Sequence, residues 1–436
     1  MRRVIVPAFI VAHLLGLHLA VVWLRSGDQA ADPTYAPLND DLEPTDGAPF
    51  PASAANPTVR PTVRPGALDL ENVHEDGEKL MADLGNGFQG ELTLAPRLQR
   101  EAKKILDRGK MPLGAVVVLD IASGNVLALA DRYRADHPSA PPLPEGGPQS
   151  LALRSIAPAA SIFKIVTATA LLEAGVSGNT EFAYLGGLHR VGADHLKVPG
   201  AGAPTATLGD GLSKSINGLI SRLANDKLDF VALDGISRRF QFNTHIPFDA
   251  VADASTATVP RLALERARMA AGFFHSTLTP LHGALLAASI ANGGIMPRPR
   301  LVSRIHHPDG TVEQAPAPAP LATVTRPETA KQIARMLRAT TEDGTGRRAF
   351  AHVPKSLEGI DVAGKTGTLT VAQTVPLAAT DYTWFVGFAP ADAPTVAFAV
   401  LVGNGPLWSV RATDVARDVL AVHFEGKAIE AAIATR

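Results

Sequence analysis

Apolar and polar positions divide the chain into three parts, of which the first is a hydrophobic run. Residues 4–24 contain no Asp, Glu, Lys or Arg, and a membrane-spanning helix needs about 20 such residues. Arg2 and Arg3 precede the run, whereas acidic residues dominate the segment behind it. The positive-inside rule therefore predicts a single-pass anchor over residues 1–25, with the rest of the chain outside the cytoplasm. A cleaved signal peptide is the alternative, but the run is long and lacks a small-x-small site behind it.

The second part, residues 26–87, is poor in large apolar side chains. It is rich in Pro, Ala, Asp and Thr and contains the repeat PTVRPTVRP. Such a composition buries too little apolar surface to order itself, so we predict a tether. Its last residues begin GNGFQG, which matches G-x-G-x-x-G; no apolar strand precedes these glycines, so we interpret them as linker.

The third part, residues 88–436, has the alternating and helical patterns of a folded domain. Apolar residues at helical spacing predict helices in APRLQREAKKIL, PAASIFKIVTATALLEAG, PETAKQIARMLRATTEDG and TDVARDVLAVHF. Alternating β-branched residues predict strands in GAVVVLDIASGNVLALA, IDVAGKTGTLTV, YTWFVGFAP and TVAFAVLVG. Strands stand at both ends of this part and follow one another near its end. We therefore predict an α+β fold with an antiparallel sheet assembled from distant segments.

Composition and charge exclude several classes of function. The 436 residues carry a formal net charge of -1 with no long run of one sign, so no nucleic-acid partner is indicated. Cysteine is absent, and the 13 histidines lack metal-ligand spacing. We predict neither a metal nor a cofactor.

Two polar residues stand out in the apolar helix PAASIFKIVTATALLEAG. Ser161 and Lys164 form an S-x-x-K pair near its beginning. Lysine is rarely buried without a partner, so Lys164 either reaches out to water or is held beside Ser161 for a chemical reason.

Two further motifs follow in chain order. S-x-N occurs three times; the copies at Ser123 and Ser177 coincide with turn signals, whereas Ser215-Ile216-Asn217 lies within the apolar segment LSKSINGLISRLA. K-T-G occurs once, at residues 365–367, and its first two residues end the segment GIDVAGKT. That segment also matches a phosphate-binding loop, but such a loop must open a helix, and TGTLTVAQTV behind it is typical of a strand.

S-x-x-K, S-x-N and K-T-G-T in this order resemble the penicillin-binding proteins and serine β-lactamases. The strand pair GAVVVLDIASGNVLALA, the segments LTPLHGALLAASIANGGIMPRPRLV and TTEDGTGRRAF, and DYTWFVGFAP are also similar to that family. The resemblance covers roughly residues 92–422. It implies a β-lactamase/transpeptidase-like fold: a central antiparallel sheet flanked by helices, with an all-helical subdomain.

The resemblance also implies roles for individual residues. Ser161 would be the nucleophile, and Lys164 is a candidate for its proton acceptor, although the family leaves open which group takes the proton. Ser215 would pass a proton between Lys164 or Lys365 and the leaving amine. Asn217 would orient the substrate amide and Lys164. The catalytic set it implies is Ser161, Lys164, Ser215, Asn217 and Lys365.

The strand that carries K-T-G would bind substrate. Lys365 with Thr366, Gly367 and Thr368 would meet the substrate carboxylate, and the backbone N–H groups of Ser161 and Thr368 would hold the oxyanion. One departure from the family lies at residues 272–275, Gly-Phe-Phe-His, where many relatives carry G-Q-G; local substrate contacts there are open.

The activity implied is that of a peptidoglycan D,D-transpeptidase, which cross-links stem peptides through a Ser161 acyl-enzyme and is a target of penicillin. A D,D-carboxypeptidase differs only in its acceptor. A serine β-lactamase is less favoured, because no E-x-x-L-N follows Ser215. A β-lactam sensor or a silent scaffold is a further alternative, although every motif residue is present.

The implied partners are stem peptides, lipid-linked precursor strands and β-lactam antibiotics. The membrane would be contacted through residues 4–24. The segment before residue 92 is short for an attached glycosyltransferase, so we expect a monofunctional enzyme, with a separate glycosyltransferase as a candidate partner.

Overall fold

The computed structural model describes residues 68–187, 190–317, 319–372, 379–406, 408 and 410–434. The predicted anchor over residues 1–25 and the tether up to residue 67 lie outside the described residues. Among the described residues, no helix combines the length and the apolar character needed to cross a membrane.

Strands and helices are interspersed along the described chain. The strands are β1 (His74–Asp76), β2 (Lys79–Gly85), β3 (Phe88–Leu92), β4 (Leu113–Asp120), β5 (Val126–Tyr133), β6 (Ala157–Pro158), β7 (Glu181–Ala183), β8 (Thr205–Thr207), β9 (Thr277–Leu278), β10 (Ile295–Met296), β11 (Val302–His306), β12 (Val312–Gln314), β13 (Ala322–Thr323), β14 (Ala363–Ala372), β15 (Ala379–Ala389) and β16 (Val396–Asn404). The helices are α1 (Pro96–Arg108), α2 (Lys164–Glu173), α3 (Leu208–Ser213), α4 (Asn217–Lys227), α5 (Phe230–Arg239), α6 (Ala263–Ala270), α7 (Pro280–Ala291), α8 (Pro327–Glu342), α9 (Arg347–Phe350) and α10 (Ala412–Ala434).

A five-stranded antiparallel sheet forms the centre of the domain. Its strand order is β14-β15-β16-β4-β5, so strands from both ends of the domain lie side by side. Alternate residues of β4 enter different cores, with Val117 packed on one face and Val116 and Val118 on the other. Helix α7 covers the first face, whereas α1 and α10 cover the second. The predicted α+β fold with a central antiparallel sheet is confirmed.

The helical side of the domain packs around α2. This helix contacts α3, α4, α5 and α8, and eight of its ten residues are buried. Its apolar residues therefore face neighbours on all sides, as expected of a core helix. The short antiparallel pair β6–β9 joins the beginning of the Ser161 segment to the residues before α7.

A second antiparallel sheet, in the order β1-β2-β3-β11-β12, corrects the predicted domain boundary. The tether predicted over residues 26–87 is wrong for residues 68–87, which carry β1 and β2. Leu80 and Met81 are buried in β2, and β3 pairs with β11 from a distant part of the chain. The segment orders itself because a partner strand from elsewhere completes its core, which its own composition does not reveal.

The rejected and secondary motifs have structural roles. Residues 85–90 form the turn of the β2–β3 hairpin and the first residues of β3. The segment GIDVAGKT continues into β14 rather than into a helix. In the two turn copies of S-x-N, the Ser123 and Ser177 hydroxyls accept the amide N–H two residues later.

We expect Gly387→Ala to destabilise the domain by about 1–3 kcal/mol, the usual range for overpacking. Gly387 lies in β15 opposite Gly364 of β14. A Cβ on Gly387 would lie 2.1 Å from the carbonyl oxygen of Ala363 and 2.8 Å from Cα of Gly364. The measurement is the urea midpoint of unfolding.

Gly235→Ala is the matched control for this substitution. Gly235 lies inside α5, and nothing stands within 4 Å of the added Cβ. Alanine is favoured over glycine in a helix interior, so the midpoint should stay or rise. An unchanged midpoint for Gly387→Ala would contradict the predicted clash.

Candidate active site

Ser161 lies in a 3-10 turn, Ala160–Phe163, that leads into α2 at Lys164. The α-helix thus begins three residues later than Ser161, because Ala160 has a left-handed φ of 47°. A Cβ on Gly272 would lie 2.4 Å from the carbonyl oxygen of Ala160 and 2.8 Å from the amide nitrogen of Ser161. The nucleophile candidate therefore stands on a backbone turn that its surroundings hold in an unfavourable conformation.

Lys164 is buried beneath Ser161. Its side chain is fully excluded from solvent, and its Nζ lies within hydrogen-bond distance of Ser161 Oγ at 2.8 Å, of Ser215 Oγ at 3.0 Å and of Asn217 Oδ1. Burial lowers the pKa of Lys164 well below its ordinary value, and the positive charge of Lys365 lowers it further. A lysine in this state can offer a neutral amine as a proton acceptor.

Ser215 and Asn217 come from the junction of α3 and α4. Ser215 has a left-handed φ of 58°, which turns the chain between the two helices. Its Oγ lies 3.1 Å from Ser161 Oγ and 3.0 Å from Lys164 Nζ. The serine hydroxyl therefore bridges the nucleophile candidate and the amine.

The K-T-G strand forms the opposite wall. Lys365 of β14 is fully buried, and its Nζ donates to the carbonyl oxygen of Thr366 at 2.9 Å. Burial lowers the pKa of Lys365 to about 7. A Cβ on Gly367 would lie 3.4 Å from the Cβ of Ala160, so the absence of a side chain there lets β14 pass close to the Ser161 turn.

A cleft of about 780 Å³ opens between these walls. Six of the eight residues predicted for the site line this cleft and lie on both of its sides: Ser161, Ser215, Asn217, Thr366, Gly367 and Thr368. The two lysines complete the set from beneath, where Lys164 and Lys365 are buried. The structure therefore brings together all the residues singled out from the sequence.

Several residues of the cleft wall were not predicted. They are Lys214, Thr345, Trp408 and Arg411. Thr345 lies in TTEDGTGRRAF, a segment similar to the family but without an assigned role. The exposed Trp408, whose Nε1 donates to Asp381 at 2.6 Å, had no motif to identify it.

The segment that departs from the family pattern forms one edge of the cleft. Phe274 and His275 both have left-handed φ angles. Phe274 is 58% exposed and lines the cleft, whereas the His275 Nε2 lies 3.1 Å from a Glu265 carboxylate oxygen. The departing segment thus places an aromatic ring at the edge of the cleft.

The site contains no ligand set for a metal. In the described part of the chain, no group of three His, Cys, Asp or Glu side chains is placed to hold an ion. What the arrangement can do chemically is transfer a proton from a serine hydroxyl to a buried amine beside an open cleft, which is the requirement for serine acyl transfer.

Comparison with known sequences identifies one family. The model of the penicillin-binding protein transpeptidase domain matches residues 114–421. The peptidoglycan D,D-transpeptidase PbpA of Mycobacterium tuberculosis (strain CDC 1551) is 30% identical over 350 residues, which are 73% of this chain and 68% of that protein.

Solved structures agree with this assignment. The D,D-transpeptidase domain of a peptidoglycan glycosyltransferase from Eggerthella lenta has 27% identity and a TM-score of 0.61, over 78% of this chain and 83% of that one. The imipenem acyl-enzyme complex of penicillin-binding protein A from M. tuberculosis has 25% identity and a TM-score of 0.63, over 77% and 79% of the two chains. With its three motifs converging on one cleft, the chain belongs to the penicillin-binding protein transpeptidase family.

Proposed function

We propose that this protein is a peptidoglycan D,D-transpeptidase that works through an acyl-enzyme on Ser161. The observation that carries the proposal is the cluster of Ser161, Lys164, Ser215 and Asn217, closed by hydrogen bonds at the floor of an open cleft. The similar PbpA of M. tuberculosis is named a peptidoglycan D,D-transpeptidase, and the related penicillin-binding protein A forms an imipenem acyl-enzyme.

Acylation begins with the transfer of the Ser161 proton. Neutral Lys164 accepts this proton across the 2.8 Å contact, and Oγ attacks the carbonyl carbon between the two terminal D-Ala residues of a stem peptide. The C–N bond then breaks, and the proton returns through Ser215 to the leaving amine of D-Ala. Electrons and protons balance without an external group.

The oxyanion formed during attack needs donors on the cleft wall. We assign this role to the backbone N–H groups of Ser161 and Thr368. Both residues line the cleft, and β14 is the edge strand of its sheet, with no further strand on its outer side among the described residues. One such donor is typically worth about 3 kcal/mol of transition-state stabilisation.

The carboxylate of the substrate would lie against β14. Thr366 and Thr368 place their hydroxyls on the cleft side of the strand, and Lys365 adds a buried positive charge beneath them. Hydroxyl donors and a cation are the groups that bind a carboxylate. Gly367 between the two threonines lets the strand pass close to the Ser161 turn.

The acceptor decides between the alternatives. An amine of a neighbouring stem peptide gives transpeptidation, and water gives a D,D-carboxypeptidase. None of the described residues that line the cleft is an Asp or Glu, so a carboxylate base for deacylating water is missing from that lining. This disfavours fast hydrolysis and hence a β-lactamase.

We further propose that residues 4–24 anchor the protein in the cytoplasmic membrane, with the catalytic domain outside the cytoplasm. The charge-free run and the arginines before it support this placement. Lipid-linked precursor strands and a separate glycosyltransferase are the partners expected at that surface.

We expect Ser161→Ala to abolish covalent labelling of the purified full chain by a fluorescent penicillin, because it removes the attacking oxygen. Labelling is followed by gel fluorescence, and decay of the label is followed after removal of free antibiotic. A label that persists for hours supports a slowly deacylating transpeptidase or carboxypeptidase. Rapid decay with antibiotic turnover would support the β-lactamase instead.

Ser177→Ala is the matched control, because Ser177 belongs to a turn copy of S-x-N. It should label like the wild type. Labelling of folded Ser161→Ala, or no labelling of folded wild type, would contradict the proposed nucleophile. Incubation of the wild type with a stem peptide and an amine acceptor then separates cross-linked product from simple D-Ala release.

We expect the second-order rate constant of acylation to show a bell-shaped dependence on pH. The rate falls at low pH because Lys164 accepts a proton only when neutral, and the acid limb lies well below an ordinary lysine pKa. The rate falls above about pH 7 because Lys365 loses the charge that attracts the carboxylate. Stopped-flow acylation over pH 4–10, chosen as a span of roughly six units around these groups, measures both limbs.

Lys365→Gln tests the assignment of the two limbs. It removes the charge that lowers the pKa of Lys164, so the acid limb should move to higher pH while the alkaline limb disappears. Lys331→Gln removes an exposed charge from α8 and should leave both limbs in place. An unchanged acid limb in Lys365→Gln would show that another group controls it.

A further inference from the structure

The connection between α8 and α9 lies directly against the segment that leads to Ser215. A Cβ on Gly344 would lie 2.4 Å from the carbonyl oxygen of Ser213, so a side chain there would force the two segments apart. The amide N–H of Thr345 donates to the same carbonyl oxygen at 3.1 Å. The connection is therefore fixed on the helical side of the cleft.

An ion pair adds a further contact between the same segments. Lys214 Nζ lies 3.1 Å from Asp343 and 3.0 Å from Asp210. All three side chains are partly exposed, so these pairs contribute little free energy of folding. These ion pairs link the connection to the segment that precedes Ser215.

The side chain of Thr345 then reaches across to the opposite wall. Its Oγ1 lies 2.5 Å from Oγ1 of Thr366 in β14, and 3.3 Å from the carbonyl oxygen of Ser213. A threonine hydroxyl has one proton to donate. The Ser213 oxygen already accepts the Thr345 amide, and its contact with the hydroxyl is long. The short contact to Thr366 is therefore the favoured place for the proton.

We propose that Thr345 is a positioning residue whose hydroxyl donates to Thr366, so that Thr366 directs its own proton into the cleft. Thr366 then presents a donor rather than a lone pair to the substrate carboxylate. In a chain of two hydroxyls, each hydrogen bond polarises the next. The inference rests on the proposed function, since it names a group that acts on the carboxylate-binding hydroxyl of that same site.

The test is a double-mutant cycle measured by acylation of the full chain with a carboxylate-bearing penicillin. Thr345→Val removes the hydroxyl at nearly constant volume and should lower the second-order rate constant about tenfold, the usual effect of losing one hydrogen bond to a charged group. Thr345→Ser keeps the hydroxyl and should stay within about twofold of the wild type. In a Thr366→Val background, Thr345→Val should add almost nothing, because the proton it orients is gone.

Thr340→Val is the matched control for the same chemical change. Thr340 lies in α8, is fully buried, and its hydroxyl has no hydrogen-bond partner in the described part of the chain. Its loss should leave acylation unchanged. Thermal midpoints of all variants separate a local effect from unfolding, and Thr345→Ala takes the place of Thr345→Val in the cycle if the valine variant does not fold.

Different outcomes test the positioning role of Thr345 and the proposed function. If the wild type labels at Ser161 but Thr345→Val acylates normally, the positioning role is wrong and the proposed function stands. If Thr345→Val causes the same loss with and without Thr366, the residue acts only on structure. If folded wild type does not label at all, the proposed function itself fails.

Discussion

The site depends on keeping two lysine amines out of water next to each other. Lys164 and Lys365 are both fully buried, and the effective penalty for burying an ion in a protein is several kcal/mol. Burial lowers the pKa of Lys164 well below its ordinary value and that of Lys365 to about 7, which favours the neutral amines that avoid this penalty. The burial that opposes their charge is thus also what makes one of them a base.

This constraint explains why the site is built from distant parts of the chain. A neutral amine in the core still needs hydrogen-bond partners, and three polar oxygens supply them for Lys164. Two of the three belong to the α3–α4 junction, which must turn sharply at Ser215 to bring them there. The cost of the buried amine is therefore met only after the Ser161 turn and the α3–α4 junction have come together.

Much of this arrangement could be predicted from the sequence. Alternation of apolar residues located β4, β5 and β14 to β16, and the order of three short motifs identified Ser161, Ser215 and Lys365 among several false matches. The false matches failed on local context: GIDVAGKT continues as a strand, and two S-x-N copies occupy turns. Each motif and each hydrophobic pattern consists of residues close together in the sequence, so both could be recognised without the structure.

Features that arise from tertiary contact could not be predicted in the same way. β1 and β2 have a tether-like composition and order themselves through the sheet completed by β11. Thr345 is one more threonine in a polar loop until the fold places its hydroxyl 2.5 Å from Thr366. In both cases the partner segment lies far away in sequence, so the local residue preferences do not indicate the contact.

The cleft has a rigid interior around the nucleophile and an exposed edge, and different interactions determine their structures. Around the nucleophile, Ala160 and Ser215 both adopt left-handed φ angles, which a residue other than glycine keeps only where packing over-determines it. That rigidity holds the reacting groups in place for any substrate. Phe274 and Trp408 instead stand at the open edge, where an exposed aromatic ring can change partners without disturbing the amines beneath. We therefore expect changes at this edge to alter contacts with the substrate, whereas the acyl-transfer chemistry depends on the buried lysines.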